Sequence, residues 1–202
     1  MICTQLFLNY VNSKNPYTLK FFDEAGIKTP DVGTRQYGHA PVGERCIEII
    51  RKCQSPNFTL NALTSLYDGV AYFNVLNGPT NTTQFLNFFD EVCEKTSLAT
   101  DRPLLECGDT VIMDNLSCHH YEGGEVLEDF LGEMGIELLY TPIYSPDLNP
   151  AENVFSKVKN VLNYDLLPLV NYDIKIAINE AIDTVSSLDM HGFYKNTSYI
   201  FV

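Results

Sequence analysis

Strand-like hydrophobic patterns occur between residues 19 and 76 of this chain, and helix-like and strand-like patterns alternate after them. The strand-like runs are short, apolar and rich in β-branched residues. They cover residues 19–23, 45–53, 58–67 and 70–76. Asp68-Gly69, between the last two runs, is a strong signal for a two-residue type I′ hairpin turn. This part of the chain therefore predicts an antiparallel meander of about three strands.

The remaining patterns predict helices and strands in alternation. Apolar residues recur every three to four positions, as in an amphipathic helix, in four segments. These are 85–93, 126–134, a helix starting at Asn149-Pro150, and 173–186. Asn81 and Gln84 have the spacing of a capping box ahead of the first helix. Continuous apolar runs at 110–114 and 136–140 predict buried strands. The whole order predicts one α/β domain, with a mixed sheet flanked by helices.

The chain lacks the sequence marks of a secreted or membrane protein. No run approaches the roughly 18 apolar residues of a membrane span, and the start has no basic segment typical of a signal peptide. The six cysteines are scattered, without a C-x-x-C pair, which is typical of reduced thiols. We expect an intracellular protein, nuclear if its cell is eukaryotic, without a membrane partner.

The charge balance argues against a surface that holds nucleic acid. The chain has 26 acidic and 13 basic residues, a net charge of −13. Neutralisation of phosphates by Lys and Arg supplies most non-specific affinity for nucleic acid. Two long stretches, 53–94 and 103–156, contain no Lys or Arg at all. Any DNA bound by this chain would be held weakly and with strong salt sensitivity.

Three acidic residues fall where ligands approach sheets of this kind. Asp23 closes the first predicted strand, Asp114 closes the apolar run at 110–114, and Glu152 lies in the first turn of the helix after Asn149. Ligands bind at the carboxyl ends of buried strands. Clustered carboxylates repel one another unless they bind cations, and Mg²⁺ prefers oxygen ligands. The three acids are thus candidate ligands of two ions that act on a phosphodiester.

Each of these residues also has an ordinary structural interpretation. Asp23 and Asp114 could be turn residues at strand ends. Asn149 to Glu152 has the spacing of a capping box, in which Glu152 would simply cap the helix. Lys159, two turns after Glu152 on about the same face, could contact phosphate or could be a solvated lysine. Spacing alone leaves these alternatives open.

The segments around the acids resemble a known family. Asp114 lies in VIMDNLSCHH, and Glu152 lies in YTPIYSPDLNPAENVFSKVK, with 37 residues between the two acids. Both segments closely resemble the second and third catalytic motifs of the mariner-like (Tc/mariner superfamily) transposases, which are DDE superfamily endonucleases. The segments FFDEAGI, RQYGHAPVGER and HGFYKNTSYI, at 21–27, 35–45 and 191–200, are similar to other parts of that family.

The resemblance implies an RNase H-like fold and a metal-dependent DNA endonuclease and strand transferase. In that family an Asp-Asp-Glu triad, here Asp23, Asp114 and Glu152, holds two Mg²⁺ or Mn²⁺ ions. Asn115, His119 and Asn149 would support the ligands or position substrate, and Lys159 and Arg35 would contact DNA. The implied partners are transposon ends and target DNA, with a homodimer as a further possibility and no organic cofactor.

The resemblance also divides the chain and leaves other functions open. Residues 18–202 would be the catalytic domain and 1–17 a short N-terminal remnant, without the helix-turn-helix modules that recognise transposon ends in the family. One alternative is a domesticated, weakly active or inactive interaction protein, motivated by the acidic surface. Another is a hydrolase of RNA or hybrid strands, since a fold by itself does not define a substrate.

Overall fold

Five strands form one mixed sheet in the computed structural model, which describes residues 2–28, 39–45, 57–98, 100–114, 122–143 and 145–199. The strands are β1 (Leu19–Lys28), β2 (Asn57–Ser65), β3 (Gly69–Asn77), β4 (Thr110–Met113) and β5 (Glu137–Tyr140). Their order is β3-β2-β1-β4-β5. β1 pairs antiparallel with β2 and parallel with β4, so the meander and the parallel part of the sheet meet at β1.

Helices cover both faces of this sheet. Among the described residues they are α1 (Ile2–Val11), α2 (Thr82–Cys93), α3 (Glu122–Glu133), α4 (Pro150–Tyr164), α5 (Leu167–Tyr172), α6 (Ile174–Asp183) and α7 (Ser187–Asn196). The buried residues of α4, α6 and α7 share one core with Val11 of α1. Those of α2 and α3 form a second core on the opposite face. The predicted α/β class with a mixed sheet is confirmed.

Alternation along β1 assigns its side chains to these two cores. Phe21 packs on the α4 side, with its ring centroid 5.3 Å from that of Tyr194. Phe22 packs on the other side, 5.0 Å from Phe88 and 5.1 Å from Phe89. Because side chains on a strand alternate between faces, the next residue, Asp23, shares the face of Phe21. This acid therefore lies under the helices of the first core.

The capping-box prediction is confirmed, and two other local predictions are wrong in detail. The capping box of Asn81 and Gln84 is present at α2. The hairpin exists, but its loop has three residues, 66–68, because Ser65 pairs with Gly69. The helix predicted over 173–186 ends at Asp183. Ser186 instead caps α7, a helix that the apolar spacing does not reveal. The predicted strand at 45–53 lies, beyond Arg45, outside the described residues.

The first strand is longer than predicted. The sequence places its end at Asp23, but β1 continues to Lys28. The reason is that β2 pairs with β1 along its whole length, from Lys20 to Lys28, whereas β4 pairs with it only from Leu19 to Phe22. Asp23 thus stands where the parallel pairing stops, and not where the strand stops.

Gly69 is expected to tolerate alanine poorly. It has a φ of +76°, and a Cβ there would lie 2.9 Å from the carbonyl oxygen of Val185. Gly108 is the matched control, since its φ is +93° and nothing lies within 4 Å of its Cβ position. Both substitutions strain the backbone, by about 1–3 kcal/mol. We expect Gly69→Ala to lose about 1 kcal/mol more in denaturant unfolding than Gly108→Ala, and equal losses would contradict the close contact.

Candidate active site

Asp23 is a buried carboxylate held by two hydrogen bonds. Its Oδ1 accepts from the backbone N–H of Glu24 at 2.8 Å, and its Oδ2 accepts from Nδ2 of Asn149 at 3.1 Å. Only 8% of the residue is exposed. Burial raises the pKa of the Asp23 carboxyl from 3.8 to about 7; the Glu24 N–H opposes this shift, and the charges of Glu152 and Asp114 add to it.

Asp114 lies beside Asp23 on the neighbouring strand. It directly follows β4, and the last parallel pair in the register is Phe22 with Met113. The two acids are the next residues on strands that lie about 4.8 Å apart. Asp114 is half-buried and its Oδ1 accepts a long hydrogen bond, 3.4 Å, from Oγ1 of Thr141. The sheet thus brings both aspartates to the same edge.

Glu152 approaches from the helix that covers this edge. It is exposed in the first turn of α4, where a negative charge is favourable beside the helix N-terminus. It does not complete a capping box with Asn149, whose backbone N–H donates to the carbonyl of Pro146 at 3.0 Å. The cap is instead the Asn149 side chain, whose Oδ1 accepts from the N–H of Ala151 at 3.1 Å. The Glu152 carboxylate is therefore not used for capping.

Asn149 connects the helix to the buried aspartate. Its Oδ1 caps α4 while its Nδ2 donates to Asp23, so one side chain bridges the two elements. The residue is 3% exposed. The amide therefore sets the position of the Glu152-bearing turn relative to Asp23, which lies 126 residues away in the sequence.

The three acids form an electrostatic cluster but not a closed coordination site. Glu152 and Asp114 both act on the ionisation of Asp23, so the three charges lie within reach of one another. Among the described residues, however, no three Asp, Glu, His or Cys side chains are arranged to hold one metal ion. The donor set itself, three carboxylates without thiolate or imidazole, fits a hard cation such as Mg²⁺.

Three further predicted site residues, Asn115, His119 and Arg35, lie outside the described residues. Lys159 is exposed on α4, two turns beyond Glu152. Its neighbour Lys157 is engaged elsewhere: its Nζ lies 2.7 Å from a carboxylate oxygen of Asp189 and donates to the Thr184 carbonyl.

Three supporting side chains are absent from the sequence prediction. Thr141 directly follows β5, and its hydroxyl donates to the Asp114 carboxylate. The signal that points to this contact is the position of Thr141 after a predicted strand, which lies beside β4. The hydroxyl of Tyr199 donates to the Leu148 carbonyl at 2.6 Å, and that of Tyr194 donates to the Leu19 carbonyl at 2.9 Å. Both tyrosines are buried. No spacing rule predicts these two contacts, because they join segments far apart in the chain.

No helix in the described part of the chain is both long enough and apolar enough to cross a bilayer.

Comparison with solved structures identifies the fold. A pre-cleavage Mos1 transpososome has a TM-score of 0.73 at 17% identity, and a Mos1 mariner paired end complex with Mn has a TM-score of 0.71 at 18% identity. The present chain is covered to 98% in both and spans 58% of each of those chains. The catalytic domain of Mos1 mariner transposase has a TM-score of 0.63 at 17% identity, with 98% of this chain and 86% of that domain covered. The five-stranded mixed sheet with its flanking helices is the RNase H-like fold of that domain.

A sequence comparison identifies the family of the chain. A search among curated proteins finds no similar sequence. The family model described as "DDE superfamily endonuclease" matches residues 18–168, well over half of the chain. That segment contains Asp23, Asp114 and Glu152, and the resemblance to mariner-like transposases is confirmed. The chain belongs to the DDE superfamily of endonucleases.

Proposed function

We propose that this chain is a metal-dependent DNA endonuclease and strand transferase, with Asp23, Asp114 and Glu152 as its catalytic metal ligands. The observation that carries the proposal is the buried Asp23 carboxylate, which adjoins Asp114 across the sheet and senses the charge of Glu152. Like charges placed close together destabilise the ionised carboxyls, and a bound cation offsets this repulsion. In this proposal residues 18–202 form the catalytic domain and residues 1–17 are a short N-terminal remnant.

The residues of the site would have separate roles around two metal ions. Two divalent ions, Mg²⁺ or Mn²⁺, would supply activation of the attacking hydroxyl and stabilisation of the leaving oxygen when bound. Asp23 and Asp114 would hold them from the sheet, and the exposed Glu152 would hold them from α4. Asn149 orients the Asp23 carboxylate through its 3.1 Å hydrogen bond, and Thr141 orients that of Asp114. Supporting hydrogen bonds of this kind tune metal ligands.

The structural neighbours support the choice of metal and partner. Mos1 transposase complexes have been solved with Mn, with Mg and with a transposon end. We extend both features to this chain and propose that it acts on transposon ends and target DNA, as a homodimer and without an organic cofactor. Lys159 and Arg35 are the proposed DNA contacts, and His119 and Asn115 the proposed positioning residues. In a eukaryotic cell the place of action would be the nucleus.

The proposal is tested by metal-dependent cleavage with the wild-type chain. We expect nicking of supercoiled DNA at low salt in Mn²⁺ or Mg²⁺ and none in EDTA. Activity should fall as salt rises, because non-specific binding to DNA is electrostatic and this acidic chain binds it weakly to begin with. Calorimetry should detect Mn²⁺ binding that Asp114→Asn abolishes. Parallel DNA, RNA and hybrid substrates test the substrate class. Absence of both metal binding and nicking in the wild-type chain would overturn the proposal.

A second candidate function has one observation in its favour. The net charge of −13 opposes DNA binding. This charge fits an RNase H-like scaffold retained for protein interaction without catalysis. Turnover of DNA by this chain at physiological salt would exclude that function.

A further inference from the structure

A groove between α2 and α3 exposes apolar side chains on the sheet face opposite Asp23. Its volume is about 260 Å³, and its lining comprises Leu86, Asn87 and Asp90 of α2 with Val126, Leu127 and Phe130 of α3. Leu127 is buried in the second core, but Val126 is 53% and Phe130 is 36% exposed. Val126 and Phe130 are four residues apart, so they stand one above the other along the helix. The groove thus presents an apolar stripe that the core does not use.

The two helices that form the groove carry acidic residues and no basic ones. Neither α2 nor α3 contains a single Lys or Arg. Asp129 and Glu133 flank the stripe, three residues beyond Val126 and Phe130 respectively, and both are exposed. On the other wall Asp90 lines the groove, and Glu94 is exposed at the C-cap of α2. The apolar stripe is therefore bordered by negative charge on both sides.

This charge is unfavourable to the helices themselves. The C-terminus of a helix carries a partial negative charge, and acids in the last turn are repelled by it. Glu133 ends α3, Asp90 lies in the last turn of α2, and neither helix has a basic residue in its last turn. A positively charged partner placed along the groove would relieve this repulsion at both helix ends.

We propose that this groove binds a basic amphipathic helix from another protein. Apolar side chains spaced at i, i+3, i+4 and i+7 would enter the groove, as in other helix-in-groove complexes. Lys and Arg on the flanks of that helix would face Asp90, Asp129 and Glu133. Electrostatic complementarity of this kind steers association and fixes orientation.

The charge of the groove disfavours other occupants. DNA is repelled by a surface with acids on both borders. Within the described residues, a second copy of this chain offers no helix with more than two basic residues. The inference does not depend on the metal site, because the groove and the carboxylate cluster lie on opposite faces of the sheet.

The test uses the whole chain and a labelled 16-residue peptide helix with Leu on one face and Lys on the other. Fluorescence anisotropy should give saturable one-to-one binding that weakens as salt rises. The double variant Asp129→Lys, Glu133→Lys should weaken binding at least about tenfold, the scale of losing a central contact. Phe130→Ser should weaken it similarly without abolishing the salt dependence.

The control separates the groove from general attraction to an acidic protein. Glu180→Lys with Asp183→Lys makes the same change in net charge on exposed positions of α6, and it should change the affinity by less than about threefold, as expected for distant charges. A peptide of the same composition with its Leu residues scrambled off one face should bind at least about tenfold more weakly. Equal weakening by both double variants, equal binding of the scrambled peptide, or absence of saturable binding would each overturn the inference.

Discussion

Replacing Glu152 by glutamine is expected to lower Mn²⁺-dependent DNA nicking by about 10³-fold while leaving the fold nearly as stable as before. The loss follows from the proposed role, since one electrostatic contact to the reacting groups accounts for a factor of about 10²–10³. The stability follows from the geometry: Glu152 is exposed, and the helix cap is supplied by Asn149 instead. Loss of the favourable charge beside the helix N-terminus costs about 0.3–1 kcal/mol, so the unfolding free energy should change by less than about 1 kcal/mol.

The control variant carries the same substitution at an exposed acid on another helix. Glu180→Gln removes one exposed carboxylate from α6 and should leave nicking within about twofold, because it is no ligand and a single distant charge is screened. Urea unfolding of both variants completes the test. A loss of 1 kcal/mol or more in Glu152→Gln alone would show that this residue works as a helix cap, and undiminished nicking would remove it from the metal site.

In the metal-free protein, the unfolding free energy is expected to fall as the pH rises from about 4 to about 8. The pKa of Asp23 is raised from 3.8 to about 7, chiefly by burial. Below pH 3.8 the carboxyl is protonated in both states. As the pH rises above this value, the carboxyl ionises in the unfolded chain while it keeps its proton in the folded one. The unfolding free energy therefore decreases until the pH passes about 7. By linkage, the total decrease in unfolding free energy is on the order of 4 kcal/mol.

Chemical denaturation at a series of pH values, with EDTA present, measures this effect. The variant Asp23→Asn should show a much flatter profile over the same range. The slopes of the two profiles are compared, and not the absolute stabilities, because the variant also loses a hydrogen bond. Asn149 and the Glu24 N–H both donate to Asp23, and an amide at this position can accept only one of these bonds. Mg²⁺ at pH 8 should stabilise the wild-type chain and not the variant. The same slope in both proteins would assign the pH dependence to other groups.

Local signals in the sequence were sufficient where the structure they predict is also local. The capping box of Asn81 and Gln84 depends on four consecutive residues, and it is present at α2. The same kind of signal occurs at Ser186 and Asp189, where it marks the start of α7, although only Met190 and Tyr194 of that helix are buried. Apolar periodicity failed there because two buried residues are too few to define a face.

The N-terminal helix was missed for a related reason. α1 places Val11 in the core, but Leu6 is 64% and Tyr10 is 48% exposed. Apolar residues therefore occur on its exposed side as well, and no single stripe can be read from the sequence. The end of β1 was predicted too early. An acid after an apolar run resembles a strand end, but pairing with β2 continues β1 from Asp23 to Lys28.

The candidate site was only partly predictable because its contacts are long-range. The motifs around Asp114 and Glu152 identify the acids, and the parallel register of β1 and β4 explains how Asp114 meets Asp23. The bridge from Asn149 to Asp23 joins residues 126 positions apart. Nothing in the spacing of the chain indicates that one amide caps a helix and orients a buried carboxylate at once.

The two buried tyrosine hydroxyls near the end of the described chain link earlier segments of the fold to residues that are synthesised late. Tyr194 bonds the carbonyl of Leu19 in the first strand, and Tyr199 bonds that of Leu148 just before Asn149. Ribosomes add residues from the N-terminus at about 5–20 per second. The carboxylates of the site are synthesised well before the residues that lock their supporting segments. In a nascent chain the three carboxylates of the candidate site therefore lie in an incomplete fold, and the segments that support them are fixed only after synthesis has passed Tyr199.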